Sequence, residues 1–298
     1  MSAAREKSAA TAPVEQLDWR SPEITALLER ALAEDIGSGD LTTDAIFSEP
    51  RPAVGTFIAN EALVVCGLPL VARLYELLDP ALRFEPLVEE GAQVGRGKLA
   101  VIRGDARTLL RGERVVLNFL QRLCGIATLT RRFVVRLQGT KARLRDTRKT
   151  TPGLRQLERY AVRVGGGSNH RAGLFDAVLI KENHAQLAGG VAEAVRRARR
   201  RLGPGRPLQV EVHDAAEMLA AVDAGADLLL FDNMTIESVD LCAEALKGRV
   251  PVEASGGIRI ENIRTYAECG VDLVAVGALT HSAPAADISL DLVPADGT

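Results

Sequence analysis

The chain has 298 residues, 47% hydrophobic and 26% charged, with 37 basic and 39 acidic side chains and a net charge of −2. This is ordinary globular usage; it excludes a disordered, collagen-like or membrane-embedded chain, and at about 100–200 residues per domain it allows one large domain or two ordinary ones. The near-neutral total conceals a split: residues 103–181 carry 18 basic and 5 acidic side chains, a net of +13, and the rest carries 19 and 34, a net of −15.

Residues 1–17 open the chain with a run rich in Ala and Ser. That run has no apolar core of the kind a secretory signal needs, and it reads as a frayed tail. Ser21 and Pro22 then start a helical pattern with Ile24, Leu27, Leu28, Ala31 and Leu32 on one face, Ser as N-cap and Pro at the first helical position. The pattern runs out in the turn-rich stretch 35–40. Residues 54–65 read as strand and 68–78 as helix. Short strands joined by glycine turns occupy 82–102, and 106–137 forms a long helical stretch with a break expected at Gly125. Together these predict an N-terminal α+β unit of about 100 residues.

After residue 140, apolar strands at 142–145, 177–180, 208–212, 228–231, 250–253 and 273–276 alternate with helices at 191–201, 215–224, 236–246 and 260–269. Four of those helices end near Gly203, Gly225, Gly248 or Gly270. Alternation with short links demands a parallel sheet, either a barrel of fewer than eight strands or an open doubly wound sheet. No apolar run approaches the ~18–20 residues of a membrane span. Cys66, Cys124, Cys242 and Cys269 form no C-x-x-C pair or zinc spacing, which suits core thiols in a reducing, cytoplasmic setting.

The strand C-termini carry the chemistry. They read Asp146-Thr147-Arg148-Lys149, Lys181-Glu182-Asn183-His184, Glu211, Asp232-Asn233, Glu253-Ala254-Ser255-Gly256-Gly257 and Val276-Gly277-Ala278. Polar turn residues explain any one of these; charge or glycine at the same end of every strand is the mark of a site on the barrel mouth. Ser255-Gly256-Gly257, read as a glycine loop at a helix N-terminus, and Gly277-Ala278 one unit later, suit a phosphate. Arg148, Lys149, His170, Arg171 and Lys181 supply cations for carboxylates or phosphates. Glu211 and Asp232, placed opposite them, suit sugar hydroxyls or Mg²⁺. Of the four histidines, His170 is the strongest candidate and His213 the weakest. The arginines at 196–201 and 131–132 read as solvated surface.

The same residues, in order, carry a resemblance. Residues 34–43, Glu113-Arg114 with residues 117–128, the run 146–153, the loop 165–171, Lys181–His184, Glu211, Asp232-Asn233-Met234, Ser255-Gly256-Gly257 and 276–282 resemble the quinolinate phosphoribosyltransferases over residues 20 to 295. Cys124 stands where that family usually has Ser, and Glu182 where Asp is usual. The resemblance implies an α/β fold, an incomplete seven-stranded (β/α) barrel over 127–282 with an N-terminal α/β sandwich over 18–126, joined by the returning chain end at 283–298. It implies transfer of phosphoribosyl from phosphoribosyl pyrophosphate to quinolinate with loss of CO₂, dependence on Mg²⁺, and a homodimer, with a hexamer left open, in which Arg114 completes the neighbouring site. The residues it assigns to substrate are Arg114, Thr147, Arg148, Lys149, His170, Arg171, Lys181, Glu211, Asp232, Ser255, Gly256, Gly257, Val276, Gly277 and Ala278. Lys149, Lys181, Glu211 and Asp232 would be catalytic, and Glu211 and Asp232 would hold the metal through water or substrate.

Three rival readings are distinguishable. A phosphoribosyltransferase for another base, such as the relatives associated with molybdenum transport, should lack part of the two-carboxylate clamp. A Schiff-base aldolase would use Lys181. A nucleic-acid-binding module would need aromatic stacking groups beside its cations, and aromatics are 4% of the chain.

Overall fold

The computed structural model describes residues 17–295, so the expected tail at 1–17 lies outside it except for Leu17. The chain opens with α1 (Pro22–Ile36), whose N-terminus Ser21 Oγ caps by accepting from the Ile24 N–H. A second helix that the sequence reading passed over, α2 (Leu41–Ile46), is capped by Asp40. The strand expected at 54–65 divides into β1 (Pro52–Ala59) and β2 (Leu63–Val64). The division falls at Asn60, which bonds Asp287 through both backbone and side chain. Next come α3 (Leu68–Leu78), β3 (Arg83–Pro86), β4 (Gln93–Val94) and β5 (Gly97–Asp105). The last strand, β12 (Ile288–Pro294), returns to pair antiparallel with β1, giving a sheet of order β12-β1-β5-β3, while β2 pairs with β4.

Helix α4 (Ala106–Leu137) is a single helix of 32 residues, about 48 Å long at 1.5 Å per residue. The break expected at Gly125 does not occur. A Cβ there would lie 1.9 Å from the Pro284 carbonyl oxygen; the glycine admits the returning chain against the helix and does not end it.

The second half supplies β6 (Arg143–Arg145), α5 (Arg155–Val164), β7 (Val178–Ile180), α6 (Glu182–Ala188), α7 (Val191–Leu202) and β8 (Leu208–Val212). It continues through α8 (Ala215–Asp223), β9 (Leu228–Asp232), α9 (Ile236–Leu246), β10 (Val252–Ser255), α10 (Ile263–Glu268), β11 (Leu273–Ala275) and α11 (Ala278–His281). The strands form a six-stranded parallel sheet of order β6-β11-β10-β9-β8-β7. The seventh position of the expected barrel is reduced to one residue. Ser168 bridges Arg145, donating from its N–H to Leu144 O at 2.9 Å and accepting from Asp146 N–H at 3.0 Å. Gly203, Gly225, Gly248 and Gly270, which follow α7, α8, α9 and α10, all have positive φ, which lets the chain reverse after each helix.

Two of the arginines expected at the surface are tied to the protein's own groups. Arg131 donates to Gly165 O at 2.9 Å, so it is not the solvated surface expected of it. Arg199 likewise bonds Gly225 O at 2.8 Å and Asp227 at 2.5 Å, tying the end of α7 to the start of β9. The sequence could not distinguish these from their exposed neighbours, because helical periodicity places a side chain on a face but does not show which loop lies over it.

Candidate active site

All the strands of the barrel point their C-terminal ends at one cavity of about 580 Å³. The turn after β6 contributes Thr147, Arg148 and Lys149; the loop after Ser168 contributes His170 and Arg171; β7 leads into Lys181. From β8 comes Glu211, from β9 Asp232, from the β10 turn Ser255, Gly256 and Gly257, and from the β11 turn Val276, Gly277 and Ala278. Every residue the sequence assigned to substrate therefore lines the cavity except Arg114, which is exposed on α4.

The acids do not stand apart from the cations as the sequence reading placed them. Lys181 Nζ donates to Glu211 Oε2 at 3.0 Å, and the Glu182 N–H reaches Glu211 Oε1 at 3.2 Å. The reason is register: Ile180 and Val210 are partners in the parallel pair β7–β8, so the next residue on each strand meets across it. Lys181 is 49% exposed and ion-paired, so it lacks the desolvation that a Schiff-base lysine uses. Asp232 is aimed by its neighbour, since Asn233 Nδ2 donates to Asp232 Oδ2 at 2.8 Å.

His213, the weakest of the histidine candidates in the sequence, stands beside the two acids. One ligand atom each from Glu211, His213 and Asp232 lie within 4.8 Å of one another. Two carboxylates form a donor set that fits Mg²⁺, which is commonly held by one or two carboxylates with substrate phosphates completing the shell.

The glycine turns are shaped by close approach. Gly256 has φ +87°, and a Cβ on it would lie 2.3 Å from Asn233 Oδ1 and 2.7 Å from its backbone nitrogen. The Ser255 turn is not at a helix N-terminus, as expected, because α10 begins only at Ile263. Gly277 lets the Lys149 stem pass at 3.1 Å from where its Cβ would sit. Gly256→Ala is expected to displace the Asn233 turn and raise KM for a phosphorylated substrate by about tenfold or more, with KM for a carboxylate co-substrate changed far less. Steady-state kinetics with each substrate varied in turn checks this.

Beneath the cations, Arg145 meets three buried polar residues, Asp146, Gln209 and Glu253; the sequence reading leaves Asp146 and Glu253 at strand ends without a role and does not single out Arg145 or Gln209. Asp146 accepts from the His170 N–H at 2.5 Å and from Asn169 Nδ2 at 2.7 Å. Burial outweighs these bonds and pushes its carboxyl up to about 6. Burial, with Arg145, Arg171, Arg159 and Lys181 around it, drives the His170 imidazole down to about 4. Part of the signal was present in the sequence: Gln209 and Glu253 stand among apolar strand residues and are buried there, where an unpaired polar group is costly, so each needs a polar partner.

Cys124, in place of the family's usual serine, bonds as a hydroxyl would: Sγ accepts from Cys66 N–H at 3.3 Å and donates to Cys66 O at 3.4 Å. His184 is a cap, its Nδ1 accepting from the Lys181 N–H at 3.0 Å.

A (β/α) barrel whose mouth joins interlocked cations and carboxylates to two glycine turns defines an enzyme for small, phosphorylated, polyanionic substrates. Comparison with known proteins narrows this class. Residues 126–291 match the model of the quinolinate phosphoribosyl transferase C-terminal domain, and 40–124 match that of the N-terminal domain. The chain belongs to the quinolinate phosphoribosyltransferase family. It is 40% identical over 271 residues to the probable nicotinate-nucleotide pyrophosphorylase [carboxylating] of Bacillus subtilis, covering 91% of this chain and 93% of that protein. It is 41% identical over 272 residues to the nicotinate-nucleotide pyrophosphorylase [carboxylating] of Mycobacterium leprae, covering 89% and 95%. The solved nicotinate-nucleotide pyrophosphorylase of Francisella tularensis superposes with a TM-score of 0.87 at 38% identity, covering 92% of this chain and 98% of that one.

Proposed function

We propose that the protein transfers the phosphoribosyl group of phosphoribosyl pyrophosphate to the ring nitrogen of quinolinate and releases CO₂, forming nicotinate mononucleotide and pyrophosphate. The observation that carries this reading is the convergence of Arg148, Lys149, His170, Arg171 and Lys181 with Glu211 and Asp232 on one cavity, in a chain of this family.

In this reading Arg148 and Arg171 hold the quinolinate carboxylates, with Thr147 and His170 fixing the ring beside them. Arg offers a planar fork that matches a carboxylate with two hydrogen bonds. Lys149 and Lys181 neutralise the pyrophosphate as the bond to the anomeric carbon breaks. Glu211 and Asp232 hold ribose hydroxyls and stabilise positive charge on that carbon. Ser255, Gly256, Gly257, Val276, Gly277 and Ala278 form the 5′-phosphate cradle. No covalent enzyme intermediate is required; positioning and charge compensation supply the acceleration. The positive charge on the quaternised nitrogen then stabilises the electron pair left on the adjacent ring carbon when the 2-carboxylate departs as CO₂, and a proton bonds to that pair. Mg²⁺, when bound at Glu211 and Asp232 through water or substrate, would offset charge on the pyrophosphate. Arg114 completes the site of a second copy in a homodimer; its exposure on α4, away from its own cavity, supports that role. A reducing, cytoplasmic setting suits the four free cysteines; among the described residues no helix is long and apolar enough to cross a membrane.

The test is direct. Purified protein given quinolinate labelled in the 2-carboxylate, phosphoribosyl pyrophosphate and Mg²⁺ is expected to release labelled CO₂ and form nicotinate mononucleotide in equal amounts. Equal turnover of nicotinate, or product without CO₂, would overturn the reading.

A further inference from the structure

We infer that Glu253 is a positioning residue of this site, locking the His170 ring as the neutral tautomer with its proton on Nε2. The inference deepens the proposed function and rests on it only for which substrate the lock serves.

The geometry is specific. Glu253 is fully buried in β10 and reaches the cavity. Its Oε2 is occupied, accepting from Arg145 Nη1 at 2.8 Å and Gln209 Nε2 at 2.9 Å. Its Oε1 has no hydrogen-bond partner and lies 3.6 Å from His170 Nε2. On the far side of the ring, His170 Nδ1 accepts the Arg171 backbone N–H at 2.7 Å. A nitrogen that accepts a hydrogen bond carries no proton, so the imidazolium is excluded and the proton of the neutral ring lies on Nε2. That N–H faces the one unsatisfied oxygen of a buried carboxyl group, where an unpaired acceptor is costly.

The main chain is held as firmly as the ring. Asp146 accepts the His170 N–H, and Arg159 Nη1 donates to the His170 carbonyl at 2.5 Å. The charged and titratable groups facing His170 are Arg145 and Asp146 from the β6 end, Arg159 from α5, Arg171 beside it, Lys181 from the β7 end and Glu253 from β10. Four of the six are basic, so a proton on this ring would add a like charge to a crowded set, and the depressed imidazole agrees with the geometry. His170 then enters the dicarboxylate clamp as a rigid, uncharged wall whose orientation Glu253 sets. This differs from the cationic or switchable role its sequence context suggested.

Nitrogen-15 NMR of the full-length, ligand-free protein labelled at histidine reads the lock directly, with four histidines to assign. The expected result is a His170 spectrum of the Nε2–H tautomer that stays neutral as pH falls from 8 to 5 and titrates only near 4. Glu253→Met, which keeps volume and removes the carboxylate beside Nε2, is expected to free the ring to swing out of the Arg171 N–H bond, so that the tautomers mix, and to raise KM for quinolinate about ten- to a hundredfold, with KM for phosphoribosyl pyrophosphate within about twofold. Glu253→Gln must spend its one oxygen on Arg145 Nη1 and Gln209 Nε2, which turns its amide N–H groups toward the His170 Nε2–H, so it is expected to recover little of either. An imidazolium or Nδ1–H ring in the unmodified protein at pH 7 overturns the inference, whether or not Glu253→Met folds. So does a Glu253→Met protein with unchanged tautomer and unchanged quinolinate KM. Because the spectrum is taken without substrate, its outcome is separate from the CO₂ assay: an intact lock without CO₂ release would sink the proposed reaction and leave the lock standing.

Discussion

Arg148→Ala is expected to lower kcat/KM for quinolinate by about a hundredfold or more, since truncating one partner of a desolvated charge pair typically costs about 2–5 kcal/mol. The effect should be local. The loop that carries Arg148 is held by its backbone: the Arg148 carbonyl accepts from Thr150 N–H at 2.9 Å and from Arg155 Nη2 at 3.2 Å, and neither bond uses the Arg148 side chain. Melting temperature and KM for phosphoribosyl pyrophosphate should therefore stay near their original values. Arg148→Lys should recover little, because an ammonium offers no planar fork to a carboxylate. Arg200→Ala is the control: that side chain is 67% exposed on α7, and its loss should leave both substrates' kinetics unchanged. Steady-state kinetics with each substrate varied, beside thermal melts, decides the matter; equal losses for both substrates would show that the loop, and not the clamp, had failed.

Glu158→Ala is expected to destabilise the fold by about 3–5 kcal/mol, the cost of breaking a buried ion pair from one side. Glu158 is fully buried in α5. Its Oε1 accepts from Arg122 Nη2 at 2.8 Å and from Thr151 Oγ1 at 2.7 Å, and its Oε2 accepts the Thr151 N–H at 3.1 Å. Arg122, from α4, also donates to the Ala283 carbonyl at 3.0 Å and to the Thr280 carbonyl. One carboxylate thus ties α4, α5, the β6 turn and the end of α11 together. Without it the guanidinium keeps its carbonyl partners but loses its counter-charge. Glu158→Gln, which keeps the shape and part of the hydrogen bonding, should lose less. Urea midpoints for the three proteins test the order; a Glu158→Ala protein as stable as the original would show that Arg122 finds solvent or another acceptor.

These two residues show how unevenly the sequence exposes its chemistry. Arg148 was legible because it follows an apolar strand directly, and in a parallel barrel that position opens on the mouth. Glu158 was not legible, because an acid between Leu157 and Arg159 on an amphipathic helix looks like any solvated face residue until α4 is known to cross it. The same distinction separates Lys181 and Glu211, given roles by their place at strand ends, from Gln209, inside a strand, and Glu253, read at a strand end without a role; these two gain meaning only from one another. Helices and strands followed their local patterns closely: α3, β8 and α9 begin and end at the expected residues. The departures arose where a distant segment intervened, as Asp287 does at Asn60 and Pro284 at Gly125.

The sequence by itself determined the alternation of strand and helix, the parallel sheet this requires and the charged strand ends, which follow from short-range periodicity, and its ordered motifs carried the resemblance that implied the barrel, the family and the residues lining the mouth. Only the tertiary structure decided how the charges of the +13 segment are spent. Arg122, Arg131, Arg145, Arg155 and Arg159 bind carbonyls or carboxylates inside the protein, and Arg148, Lys149, Arg171 and Lys181 are the cations that reach the cavity. The reason is that a charge's role is set by what lies within a few ångströms of it, and the partners here stand 11 to 161 positions away along the chain.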